Sequence, residues 1–239
     1  MILPSSGAEP HGAVHRVADL QLRGRAGPLR CRVHWPAPTG RAAAPALLVY
    51  LPPGGPDLDD AGDGVGRSMC ALAGVVVLAA SHRPLAGPPV LPTAATAEDG
   101  TTATQWAADH AAELGADSGR LVVGGAGPGG GVAAAVARLA RDEEWPPLMR
   151  QLLIHPVLGT RVAPDGPAGP SLAGVAPATV LRYTHGPGAD DTRRYVDGLR
   201  QAGVEVDEHR DDGPLDCALP GLAQALRTAL AAEGTTHDG

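Results

Sequence analysis

Short, wholly apolar runs alternate along this chain with longer stretches whose apolar residues recur at helical spacing. Ala46–Leu51 and Gly74–Ala80 are continuous apolar runs of strand length, as expected of strands covered on both faces of a mostly parallel sheet. Val17–Leu22 and Leu29–Trp35 instead alternate apolar and polar residues around Gly24-Arg25-Ala26-Gly27, which predicts an antiparallel hairpin. Further strands are predicted at Leu121–Val123, Leu152–His155, Ala178–Tyr183 and Val204–His209. Helical spacing predicts helices over Val65–Ala73, over Glu98–Leu114 with Gly115 as its C-cap, over Asp190–Ala202 and over Leu222–Ala232. This alternation predicts an α/β fold with a doubly wound parallel sheet, whose ligands bind outside the carboxyl ends of the strands.

The stretch around which the others are arranged is Leu121–Arg141, LVVGGAGPGGGVAAAVARLAR. It reads as strand, tight turn and alanine-rich helix, the shape of a nucleophile elbow. An elbow of this kind has the pattern Gly-x-Ser-x-Gly, because a strained turn admits neighbouring backbone only where side chains are absent. Here the five positions are Gly125, Ala126, Gly127, Pro128 and Gly129, so the apex is a glycine with no nucleophile. Gly125–Gly130 also fits G-x-G-x-x-G, the dinucleotide fingerprint. That reading needs an acid at the end of the next strand. Asp142, Glu143 and Glu144 sit in a loop instead, and the next strand ends in His155-Pro156. No cofactor is therefore expected. The glycine-rich helix start is a weak anion site at most, since Pro128 removes one donor.

From about Val17 to the C-terminus the order of segments resembles the α/β-hydrolases of the hormone-sensitive-lipase type, the bacterial acetyl-esterase and carboxylesterase group. Its most specific part is Glu98–Val157. The resemblance places the family's His-Gly-Gly-Gly oxyanion motif on Pro52, Pro53, Gly54 and Gly55. It places the nucleophile at Gly127, the acid at Gly186 and the histidine at about Asp216. Pro128 stands where the residue after the nucleophile would offer its N–H. Carried over in this way, the family mechanism lacks nucleophile, base, orienter and both principal oxyanion donors. The expectation is then a pseudo-hydrolase with a lost catalytic triad, its pocket reused for cyclisation, elimination or isomerisation of a small organic molecule in natural-product biosynthesis. The alternative is a non-catalytic ligand-binding or scaffold protein derived from an esterase.

Four polar residues are expected at strand ends on the crevice side, His155, His185, Asp216 and His82, as acid/base groups replacing the triad. Gly54, Gly55, Gly127, Pro128, Arg83, Tyr183 and Cys217 are expected to line the substrate crevice. The family's cap is expected to be reduced or missing, its N-terminal helices nearly gone and its insertion shortened to Gly159–Val175. The resemblance also implies a homodimer.

Composition narrows these readings further. The chain of 239 residues fits one α/β domain over residues 15–233, with flexible ends at 1–14 and 234–239. Net charge is −7, and all 19 basic side chains are arginines scattered along the chain, which excludes a basic stripe for nucleic acid. The N-terminus lacks a signal-peptide pattern and no run reaches membrane-span length, so a soluble cytoplasmic protein is expected. Cys31, Cys70 and Cys217 are widely spaced without C-x-x-C, which argues against a disulfide framework and against a metal site.

Overall fold

The computed structural model describes residues 14–38, 40, 43–54, 58, 60–85, 92–158, 171–186 and 188–234. Eight strands form one sheet: β1 (Val14–Gly24), β2 (Gly27–Pro36), β3 (Ala46–Leu51), β4 (Val76–Ala80), β5 (Asp117–Ala126), β6 (Arg150–Ile154), β7 (Ala178–Arg182) and β8 (Val206–Arg210). Their order across the sheet is β1-β2-β4-β3-β5-β6-β7-β8. The β1–β2 hairpin pairs antiparallel with β4, and every pair from β4 onward is parallel. This is the doubly wound α/β-hydrolase architecture with an N-terminal antiparallel hairpin.

Five helices cover the sheet: α1 (Asp60–Ala73), α2 (Ala94–Asp109), α3 (Pro128–Asp142), α4 (Ala189–Gln201) and α5 (Leu215–Gly234). One apolar layer gathers Ala103, Val132, Val136, Tyr195 and Leu199 from α2, α3 and α4. The opposite layer gathers Met69, Cys70, Leu222 and Leu226 from α1 and α5. All side chains of β3, β4 and β6 are buried; β3 and β4 therefore read as unbroken apolar runs, while β6 buries the polar Arg150 and Gln151 as well.

Three helices differ from their sequence-based bounds by more than one residue. α1 begins at Asp60 rather than Val65. α2 starts earlier, at Ala94, because Thr93 and Thr96 form a reciprocal capping box, and it ends at Asp109. The chain then turns through 110–115 and closes on Gly115 at φ 69°. α5 starts at Leu215 and carries Pro220 inside it; that proline hid the helix's first turn from the sequence pattern. The cap expectation falls on residues 1–13 and 159–175; of these only 171–175 are described, and they carry no helix or strand.

The start of α3 is where three strands meet. Gly127 adopts φ 53° and ψ −126°, a conformation that side-chain-bearing residues avoid. Its N–H donates to Ile154 O at 2.8 Å, and its own carbonyl accepts from Val157 N at 2.8 Å. A Cβ added at Gly129 would lie 2.2 Å from Leu51 O and 2.5 Å from Pro52 O, and one at Gly131 would lie 2.1 Å from Val157 O. The glycine run thus lets the ends of β3 and β6 press directly on the helix backbone.

At the outer edge of the sheet, Glu208 on β8 accepts from Arg182 Nε (2.7 Å), Arg200 Nη1 (2.8 Å) and Arg210 Nε (2.9 Å). Burial alone would push this carboxyl up, but the three guanidinium hydrogen bonds outweigh it and hold the pKa at about 2.

Gly129→Ala is expected to lower stability by about 3 kcal/mol, the upper end of the overpacking range. Gly54→Ala, where an added Cβ meets nothing within 4 Å, should change stability by less than about 0.5 kcal/mol. Urea midpoints of the two variants check this. A second expectation concerns acid. Because Glu208 titrates lower folded than unfolded, its contribution is present above the unfolded carboxyl pKa of about 4.3 and is lost as pH falls toward 2. Glu208→Gln should remove on the order of 3 kcal/mol at neutral pH and flatten the stability profile between about pH 5 and pH 2, measured by unfolding at a series of pH values.

Candidate active site

Position 127 sits at the apex of the turn between β5 and α3. A Cβ built there would meet only Pro53 Cβ, at 3.6 Å, so the turn faces open space on the crevice side. Of the histidines expected in the site, His155 directly follows Ile154, whose carbonyl accepts the Gly127 N–H.

His155 has φ 42°, uncommon for a residue with a side chain. Its half-buried ring stacks on Tyr183 with centroids 3.7 Å apart and planes 16° off parallel. Nδ1 is buried without a hydrogen-bond partner. Burial lowers the imidazole's pKa, and the nearby carboxylates of Asp211 and Asp212 partly oppose that. The ring is thus biased to the neutral form, with negative charge close enough to support an imidazolium.

Asp212 links the loops after β7 and β8. It accepts the Thr184 N–H at 2.7 Å and lies 3.9 Å from His185 Nδ1, and the Thr184 amide holds its carboxyl below the usual range. His185 itself is a solvent-exposed side chain. The structure therefore brings His155, Tyr183 and His185 together with Asp211 and Asp212. The two aspartates were missed as site residues by sequence reasoning. The signal available was the Asp-Asp-Gly directly after β8, the strand beside β7.

The remaining candidates lie elsewhere. His82 is not at the rim. It is 1% exposed, with Nε2 3.0 Å from Pro52 O and Nδ1 2.9 Å from Arg83 O. Its place between two carbonyls braces the Pro52 loop, whose backbone in turn packs on Gly129. Arg83 is spent on α2, donating to Asp99 (2.8 Å), Glu98 (2.6 Å) and Ala95 O (2.7 Å). Asp216 and Cys217 are exposed in the first turn of α5. There Asp216 complements the helix dipole, and it forms no ion pair among the described residues. Pro128 opens α3 and withholds an N–H, so the first amide that helix can present is that of Gly129. Gly54 is exposed beside Pro53, and Gly55 lies outside the described residues.

None of the described helices is long and apolar enough to cross a membrane. Residues 54–170 match a family model described as the alpha/beta hydrolase fold. The esterase LipI of Mycobacterium tuberculosis is 32% identical over 243 aligned positions, covering 84% of this chain and 75% of LipI. Carboxylesterase NlhH of the same organism is 31% identical, covering 84% and 76%. Among solved structures, the hyperthermophilic esterase of the archaeon Pyrobaculum calidifontis superposes with a TM-score of 0.75 at 25% identity, covering 90% of this chain and 86% of that one.

These relatives overturn the expectation of a pseudo-hydrolase with a lost triad, whether recast as a cyclase, lyase or isomerase or as a binding scaffold. They are esterases, and they point to hydrolysis. The error was to equate the loss of the family's triad and oxyanion donors with the loss of hydrolysis. Water can attack an acyl carbon directly when a base is in reach. On the sequence identity and coverage shared with LipI and NlhH, and on the sheet order and elbow described above, the chain belongs to the α/β-hydrolase fold family, on the hormone-sensitive-lipase side that includes these esterases.

Proposed function

We propose that the chain hydrolyses carboxylic esters of small organic acids, with His155 as the base that activates water at the β5–α3 turn. The observation that carries this reading is the setting of His155: next to Gly127, stacked on Tyr183, and facing Asp211 and Asp212. The esterase relatives supply the reaction class.

In this mechanism neutral His155 takes a proton from a water molecule above Gly127 as the oxygen bonds to the ester carbonyl carbon. The carbonyl electron pair moves onto oxygen, at the amino-terminal end of α3, where the helix dipole favours negative charge. Collapse expels the alkoxide, which recovers the proton from the imidazolium. Asp211 and Asp212 stabilise the imidazolium formed midway, and the Tyr183 stack fixes the plane of the ring. No acyl-enzyme forms, because Gly127 has no side chain to carry one.

General-base assistance contributes about 10²–10⁴-fold. Assayed on short-chain p-nitrophenyl esters, the protein should show linear product release from the first turnover and no inactivation by serine-directed organophosphates. His155→Gln should reduce kcat/KM by about 10²-fold. Absence of hydrolysis in the purified protein, or an undiminished rate in His155→Gln, would overturn the assignment. The pH profile gives a separate check. Since the neutral imidazole is the active form and burial lowers its pKa, the rate should rise with pH through an inflection below the ordinary histidine value and stay flat above it. An inflection in the usual histidine range that persists in His155→Gln would assign the base to another group.

A further inference from the structure

A concave site lies at the opposite edge of the sheet from the β5–α3 turn. The amino-terminal ends of β3 and β4, the far end of β2 and the carboxyl-terminal part of α5 enclose a cleft of about 750 Å³. Ala46 at its floor and Leu51 beside the elbow are the two ends of β3, so the cleft and the turn are roughly 17 Å apart along the strand. We propose that this cleft binds a small organic carboxylate with an apolar body. The proposal stands on the cleft alone and does not depend on the hydrolytic reading.

The first argument is the lining. Trp35, Leu72, Val75 and Leu230 provide apolar walls, and the only charged side chains lining the cleft among the described residues are Arg120 and Arg227. Among the described residues no carboxylate lines the cleft, although the chain as a whole carries a net charge of −7. A mostly apolar cavity of this size with a few convergent polar groups is the usual form of a small-molecule site.

The second argument is the state of the two arginines. Arg120 Nη2 donates to Leu230 O at 3.1 Å, while its Nε is buried with no partner. Arg227 Nη1 donates to Leu72 O at 3.0 Å, and Nη2 donates to the Gln224 side-chain oxygen. Both guanidiniums are therefore hydrogen-bonded only to neutral oxygens, and neither forms an ion pair among the described residues. Neutral acceptors orient a guanidinium without neutralising it, and a buried Nε–H without an acceptor is a cost that an anionic ligand removes. A carboxylate matches the planar fork of donors, and the apolar walls accommodate the rest of the molecule. Trp35, whose Nε1 is fixed on Leu114 O at 2.8 Å, places an aromatic reporter in the wall.

The test titrates the full chain with octanoate, 1-octanol and inorganic phosphate, following tryptophan emission. Octanoate should bind at least tenfold more tightly than 1-octanol, phosphate should give no response, and the signal should vanish in Trp35→Phe. Arg227→Gln, at an exposed position, should weaken octanoate about tenfold while leaving 1-octanol unchanged. Arg120→Gln should do the same, with circular dichroism confirming that it folds. Equal binding of octanoate and 1-octanol, octanoate affinity unaffected by Arg227→Gln, or a signal that survives Trp35→Phe would each overturn the proposal. Tight binding of phosphate alone would overturn the apolar part of it.

Discussion

Backbone packed on backbone at the first turn of α3 is the constraint on which the rest of this molecule depends. Elsewhere in the sheet, strands and helices are held apart by side chains. Here Leu51 at the end of β3, Pro52 just after it, and Val157 from the segment after β6 come closer to Gly129 and Gly131 than any Cβ would allow. The Gly127 carbonyl accepts from Gly130, Gly131 and Val157 together, so one peptide oxygen ties the helix start to the chain leaving β6. His155 is caught between Ile154 and Val157, both bound to that turn. Its positive φ costs on the order of 1–2 kcal/mol, and the stack on Tyr183 offsets part of that cost.

Charge organises the sheet edge that carries the carboxylates. Arg182, Arg200 and Arg210 converge on Glu208 and fix β8 to β7 and α4. Asp211 and Asp212 follow immediately, and Asp212 captures the Thr184 amide of the neighbouring loop. A buried carboxylate shared by three cations, with Arg182 also buried and Arg200 and Arg210 reaching in from the surface, is held more strongly than an isolated surface pair. The arginines scattered through this stretch of sequence are thus the struts of the loops beside His155, which explains why they form no continuous basic surface.

The fold was legible in the sequence because its signals are local. The unbroken apolar runs Ala46–Leu51 and Gly74–Ala80 lie in strands buried on both faces, and the glycine run after Val123 lies where close approach demands it. Helix ends were less legible: the Thr93–Thr96 capping box precedes the apolar spacing of α2, and Pro220 interrupts that of α5. The site was only partly readable. His155 and Tyr183 stand at the ends of adjacent strands, a relation that sheet order supplies. The roles of Asp211 and Asp212 depend on how β8 lies against β7, and the burial of His82 depends on where the Pro52 carbonyl turns. None of these follows from spacing. Carrying the family's triad and oxyanion positions over one by one also tested only for that one apparatus, whereas an acyl-transfer site is a field of donors and bases around a reacting carbon.

The φ and ψ of Gly127 carry one more implication. In a nucleophile elbow of this fold the turn is strained while a serine side chain projects from it. In this chain the same conformation exists with no side chain to project, held by Gly129, Gly131, Ile154 and Val157 from beneath. The strain therefore belongs to the scaffold and not to the nucleophile. A turn whose shape is set from below leaves its apex open to change, so the fold can exchange the chemistry at that one position while the surrounding backbone keeps its geometry.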